Sequence, residues 1–70
     1  MIYALLVSTS PTRRPHPLRI EAEDGAAAAH AAALRLHFPT PRPWVHRRRQ
    51  GWIVTDGVNT HHVAILSETQ

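Results

Sequence analysis

The chain has 70 residues and a formal net charge of +3 at pH 7, and it contains no cysteine. Seventy residues make one domain, and the missing cysteines exclude disulfides and thiolate metal sites. The charge is modest, so nucleic-acid binding would have to come from clustered arginines. A core this small is only marginally stabilising, so a homodimer is one way to support it. No stretch is long and apolar enough to cross a membrane, and residues 1–7 lack a basic leader, so we expect a cytoplasmic protein.

The first third of the chain predicts two strands. Residues 1–8 are apolar on both faces, which is typical of a strand inside a sheet, or of one with a helix on one side and a partner on the other. The prolines of residues 10–17 predict a turn without regular pairing. Leu18, Ile20 and Ala22 alternate with charged residues, which predicts a strand with one buried face. We expect the two strands to form a hairpin that leads into a helix.

Residues 24–38 predict the one convincing helix. Asp24 is a suitable N-cap, the following alanines are strong helix formers, and Pro39 would end the helix. Two faces compete for burial. The stripe that we expect to be buried comprises Ala27, Ala31, Leu34 and Phe38. The weaker stripe comprises Ala29, Ala33 and Leu36.

The segment after the helix predicts a connector and three strands. Residues 39–43 have polyproline character and suit a rigid spacer. The expected strands are Trp44–Arg49, Trp52–Thr55 and His61–Leu66, with turns at Gln50–Gly51 and Asp56–Gly57 and a frayed tail from Ser67. The sequence therefore predicts an α+β fold. It is an antiparallel sheet of four to five strands with one helix packed on one face, in the order β-β-α-β-β-β.

The strongest chemical feature is the basic, aromatic segment between the two tryptophans. On a strand, Arg47 and Arg49 point one way while His46 and Arg48 point the other. Guanidinium groups flanked by indoles can contact phosphates and stack on bases. The residues predicted to bind nucleic acid or a partner are therefore Arg42, Trp44, Arg47, Arg48, Arg49 and Trp52. The alternative is a charged edge strand that resists aggregation and whose tryptophans complete the core.

The six histidines do not match a metal-binding pattern. His61 and His62 are adjacent on a strand and face opposite sides, and no HExxH spacing is present. We expect no metal, no cofactor, and histidines at the surface or in an interface. No serine lies in a nucleophile elbow, and nothing favours a triad built from Ser8, His62 and Asp56. The sequence therefore favours a protein that is not an enzyme.

The run Ile20-Glu21-Ala22-Glu23-Asp24, which follows an N-terminal strand and leads into an alanine-spaced helix, resembles a group of small phage and mobile-element proteins. These proteins share a β-β-α-β-β core, and some small anti-CRISPR proteins of type I systems are similar in size and order. The resemblance covers about residues 1–34. It implies a non-catalytic inhibitor that occupies the DNA-binding surface of a CRISPR effector. The arginine run and the proline-rich connector depart from the pattern, and no functional residue carries over.

Two hypotheses follow from the sequence. In the first, the protein binds nucleic acid or a nucleoprotein complex through the Trp44–Trp52 hairpin, as a phage-borne inhibitor of a host defence. In the second, it is a homodimeric interaction module without a nucleic-acid role. The apolar second face of the first strand favours the second hypothesis, because one helix covers only one face of a sheet. Salt separates the two, since phosphate contacts weaken as salt rises and an apolar interface barely changes.

Overall fold

The protein folds as one antiparallel sheet with one helix packed on it. The computed structural model describes residues 1–9, 14–49 and 51–69. The five strands lie in the spatial order β2-β1-β5-β4-β3, and α1 contacts all of them. The elements are β1 (Ile2–Ser8), β2 (His16–Glu21), α1 (Gly25–Arg35), β3 (Trp44–Arg48), β4 (Gly51–Thr55) and β5 (Thr60–Thr69). The predicted fold class and element order are confirmed.

The first two strands pair as predicted, with β1 in the interior of the sheet and β2 at its edge. Tyr3, Leu5 and Val7 point from β1 towards α1 and are buried. The second strand begins at His16, whereas the sequence predicts that it begins at Leu18. Pro17 fits into the strand because an edge strand leaves one side of its backbone unpaired. The rest of the predicted turn includes residues 10–13, which lie outside the described part of the chain.

The start of α1 agrees with the prediction, but the buried stripe does not. The Asp24 side chain accepts a hydrogen bond from the Ala27 N–H at 2.8 Å. Leu34 is 39% exposed, and the fully buried helix residues are Ala28, Ala29, Ala32 and Ala33. The preferred stripe was therefore wrong for Ala27 and Leu34, whereas its last member, Phe38, is buried. The weaker stripe lies closer to the sheet. The side of α1 with small side chains faces the sheet because it allows the helix to lie close to the strands. A Cβ on Gly25 would lie 2.7 Å from Nε1 of Trp52.

The helix ends at Arg35, three residues before the predicted end. His37 has a φ of 60°, in the left-handed region. The N–H of Phe38 donates to the carbonyl oxygen of Ala33 at 3.1 Å, and the N–H of His37 donates to the carbonyl oxygen of Leu34 at 3.1 Å. This pair of bonds is a Schellman motif, and it is this motif, not Pro39, that ends the helix. It turns Phe38 into the core, where 6% of it is exposed. In the described part of the chain, no helix has the length and apolarity to cross a bilayer.

Ser67 to Thr69 belong to β5, which corrects the prediction that the tail is frayed, and Gln70 lies outside the described part of the chain. Thr69 pairs with Ile2 at the far end of the sheet. The register of β5 against β1 shifts between Ala4 and Leu5, because Ala4 pairs with Ser67 whereas Leu5 pairs with Ile65. The residue between the two partners, Leu66, is left without a partner on β1, as in a β-bulge, and is 59% exposed.

His61 is a buried histidine, so the prediction that the histidines lie at a surface or interface was wrong for this residue. Only 8% of it is exposed, and its ring meets Phe38 edge-on with 4.8 Å between centroids. Among the residues that the structure describes, its Nδ1 finds no hydrogen-bond partner. Burial lowers the pKa of His61 below the ordinary value of 6.5. The folded protein therefore holds this side chain in its neutral form more strongly than water does.

Candidate nucleic-acid interface

The three consecutive arginines lie at the tip of the β3–β4 hairpin, at the edge of the sheet. Arg47 pairs with Trp52 and Arg48 with Gly51, and Arg49 follows the last residue of β3. All three arginine side chains are exposed. The guanidinium carbon of Arg47 lies 5.8 Å from the ring centroid of Trp52, which is cation–π distance. The hairpin therefore presents its positive charge to solvent and fixes one guanidinium against an indole.

The two tryptophans lie on opposite faces of the sheet. Trp52 shares the helix side with Arg47, and it is half-buried beside the start of α1. Trp44 is 64% exposed and lies on the other side with His46 and Arg48. The predicted pair of flanking indoles is thus divided between two surfaces. One indole supports an arginine, and the other is free to meet a ligand.

On the helix side, the arginines border a cleft of about 420 Å³. Tyr3, Gly25, Trp52 and Glu68 also line this cleft. Burial raises the pKa of the Tyr3 hydroxyl, and the negative charges of Glu68 and Asp24 add to this effect. Because acidic and basic groups meet here, the cleft is less suited to a polyanion than the hairpin tip.

The opposite side of the sheet, which we call the open face, carries no packed element in the described part of the chain. Its side chains form cross-strand rows that follow from the register. One row runs Arg48, Gly51, Ala64, Leu6. The next runs His46, Ile53, His62, Ser8, and a third runs Trp44, Thr55, Thr60. These rows contain no carboxylate.

A trough of about 380 Å³ lies across the first two of these rows. Gly51 and Ala64 form its floor because they have almost no side chain, and Leu6 and Ile53 form apolar walls. A Cβ at position 51 would overlap the carbonyl oxygen of Val63, so a glycine is needed where β4 meets β5. The volume lies within the range of small-molecule sites. The sequence predicts Gly51 in a turn, whereas it is the first residue of β4, and Gln50 of that predicted turn lies outside the described residues. The trough therefore could not be predicted from the sequence.

Arg42 lies apart from the other predicted arginines. It is exposed in the connector before Trp44, at the opposite end of β3 from Arg48. At ~3.3 Å per residue, the two ends of this five-residue strand are roughly 13 Å apart. The structure therefore brings Arg47, Arg48 and Arg49 together and places Arg42 and Trp44 near the other end of the hairpin.

The connector is fastened to the turn between β4 and β5 by Asp56. Its carboxylate accepts hydrogen bonds from the Thr40 hydroxyl at 2.6 Å and from the N–H groups of Val58 at 2.9 Å and Asn59 at 2.7 Å. The Thr40 bond, followed by the backbone bonds, holds the pKa of the Asp56 carboxyl well below its usual range. Asp56 thus has a structural role that shapes the end of the open face.

The residues of the unsupported triad are only partly brought together. Ser8 and His62 are direct partners on β1 and β5 and both line the trough. Asp56 is engaged by the hydrogen bonds of its own turn. Among the residues that the structure describes, no group of three or more histidine or acidic side chains is arranged to hold a metal ion.

No protein-family model, curated protein or solved structure matches this chain. The resemblance to small anti-CRISPR proteins therefore stays a prediction.

Proposed function

We propose that this protein is a non-enzymatic nucleic-acid-binding protein that contacts phosphates through the tip of its β3–β4 hairpin. The observation that carries the proposal is the cluster of three exposed arginines at one hairpin tip, Arg47 to Arg49. From Arg42 to Thr55 the chain contains no acidic residue. The positive charge is therefore concentrated here although the total is modest.

The form of the cluster suits phosphate groups. Arginine presents a planar fork of N–H donors that matches a phosphate in a bidentate arrangement. The stacking of Arg47 on Trp52 limits the freedom of one fork before any ligand arrives. A guanidinium that is already ordered loses less entropy on binding. The hairpin thus offers both charge and partial preorganisation.

The test is fluorescence anisotropy with labelled single- and double-stranded DNA over a series of salt concentrations. The variant changes Arg47, Arg48 and Arg49 to Ala. We expect binding that weakens with salt, and a slope of log K against log salt that is smaller by about 2 for single strands in the variant, because each phosphate contact contributes ~0.7.

The matched control changes three exposed arginines elsewhere, Arg14, Arg19 and Arg35, to Ala. Both variants lose three positive charges from a net charge of +3, so they differ only in where the charge is lost. The control is expected to keep most of the affinity. Absence of binding at low salt, or equal losses in both variants, would contradict the proposal.

The nucleic acid can also be part of a protein complex, because the same arginines would meet the same phosphates there. An inhibitory role against a CRISPR effector, as the sequence resemblance implies, is a narrower form of this proposal. Competition between this protein and target DNA for a purified type I effector is the measurement that checks it. No competition would leave simple nucleic-acid binding as the function.

One observation favours the alternative of a homodimer without a nucleic-acid role. The open face and its rim expose Ile2, Trp44 and Leu66 at 45%, 64% and 59%. Burial of such side chains against a second copy would be favourable. Measurement of the mass in solution decides this alternative, and a monomer at high protein concentration excludes it.

A further inference from the structure

The open face along the hairpin has a sequence of groups that suits one class of ligand. The trough spans the row at the tip and the middle row, which carries His46 and His62, and Trp44 lies at the far end. We infer that a single strand of nucleic acid lies along β3 and β4 on this face, with one unstacked base in the trough and another against Trp44. This inference rests on the proposed function and names its ligand class.

The trough has the shape and the chemistry for one flat ring. Its floor is the backbone and minimal side chains of Gly51 and Ala64, and its walls are the half-buried Leu6 and Ile53. A base laid on this floor would bury one face against apolar atoms. Bases inside a duplex are paired and stacked on each other, so only a single strand can supply such a base without cost.

Trp44 supplies a second stacking surface at a distance that a single strand can span. It is 64% exposed, and the nearest of its atoms to position 57 lies 3.8 Å from where a Cβ on Gly57 would be. The indole is therefore supported by the turn and still open to solvent. Its row lies two cross-strand rows from that of Gly51 and Ala64, roughly 13 Å along the strand direction. Base–aromatic stacking tolerates every base, so this arrangement does not require a particular sequence.

Charge favours a polyanion over the full length of this path. Arg48 lines the tip end of the trough, and Arg42 lies before Trp44 at the other end. The carboxylate of Asp56, which follows the end of β4, is occupied by hydrogen bonds from Thr40 and from the N–H groups of its own turn. A strand running between the two arginines would meet positive charge at both ends.

A second copy of the chain is a poorer occupant of the same surface. A two-fold dimer would place this face against itself. Arg48, His46 and His62 would then lose water against identical groups of the partner, and burying like charges without partners is costly. A polynucleotide leaves these groups paired with phosphates.

The test compares a labelled oligothymidylate with a duplex of equal length, by anisotropy at fixed low salt. Ala64→Leu fills the trough with a side chain that points to solvent, and Trp44→Ala removes the exposed indole. Ala27→Leu, on the exposed side of α1, is the matched control. We expect the wild type to prefer the single strand, and each of the first two variants to lose at least about fivefold in single-strand affinity, with duplex binding and the control unchanged.

The outcomes separate this inference from the function on which it rests. Equal affinity for both ligands, with loss of both in the triple arginine variant, would overturn the inference and keep the function. Unchanged single-strand affinity in Ala64→Leu and in Trp44→Ala would also overturn the inference and keep the function. Absence of all binding would overturn both. A stable dimer that Ala64→Leu dissociates would assign the face to a second copy and also overturn the inference.

Discussion

The two faces of the sheet are made by the same strands and differ in almost every property. The helix side is closed by alanines and contains the fully buried Leu5, Val7 and Val54. The open face alternates with it residue by residue and carries arginine, histidine, threonine and an exposed tryptophan. A single helix can close only one face, so the other remains available for ligands. The comparison indicates that the buried core lies on the first face, and the single strand that we propose as a ligand would lie on the second.

The largest expected effect on stability is found by comparing two neighbouring leucines whose side chains lie on opposite faces of the sheet. Leu5 is 1% exposed, and Leu6 is half-buried at the wall of the trough. Leu5→Ala should lower the free energy of unfolding by about 2–5 kcal/mol, because it leaves a cavity under α1. Leu6→Ala should lower it by about 1 kcal/mol. Chemical denaturation measures both, and equal losses would show that the two faces do not differ as described.

A second pair of variants tests which side of α1 is packed. Ala32 is fully buried, whereas Ala27 is exposed. Ala32→Leu should destabilise by about 1–3 kcal/mol through overpacking. Ala27→Leu should change the stability by less than about 0.5 kcal/mol. Thermal unfolding of the two proteins provides the measurement, and the opposite ranking would restore the stripe that the sequence favoured.

The buried histidine makes stability depend on pH. The pKa of His61 is lowered in the folded protein, so the unfolded chain binds the proton more readily. The contribution of the neutral side chain is complete above the ordinary pKa of 6.5 and is lost as the pH falls from there towards the folded pKa. Denaturation at several pH values should therefore show lower stability on the acid side.

His61→Leu is expected to weaken this decline, and His62→Ala, which changes the exposed neighbour, should leave it in place. A decline that persists in His61→Leu would assign the pH dependence to other groups. The pair thus separates a buried from an exposed histidine at adjacent positions of one strand.

The smallest expected effect is that of Trp44→Ala on stability. Because 64% of this side chain is exposed, its removal should change the free energy of unfolding by less than about 0.5 kcal/mol. Chemical denaturation and far-UV circular dichroism measure this directly. A large loss of stability would mean that Trp44 belongs to the core rather than to the binding surface.

The sequence predicted the fold because its second strand alternates clearly, its helix is a run of alanines, and the segments between its strands contain proline and glycine. It did not predict the buried side of α1, since a run of alanines has little difference in size from one side to the other. The helix end was missed because His37 adopts a left-handed conformation that usually belongs to glycine. Such details depend on tertiary contacts.

In the candidate site, too, some features could be predicted from the sequence and others could not. The arginine cluster can be read directly from the sequence, and the alternation of its side chains between the two faces of β3 follows from strand geometry. The trough is not visible, because it exists only when Gly51 pairs with Ala64 and Ala64 with Leu6. The opposite placement of the two tryptophans also depends on the register of β3 against β4.

The most direct test of binding on the open face uses the two tryptophans as reporters. In ¹⁵N–¹H NMR spectra each indole N–H gives its own signal, and the chain has one tryptophan on each face. During titration with an oligothymidylate, the Trp44 signal should shift and the Trp52 signal should move much less. A shift of Trp52 with Trp44 unmoved, or no shift of either, would contradict the account.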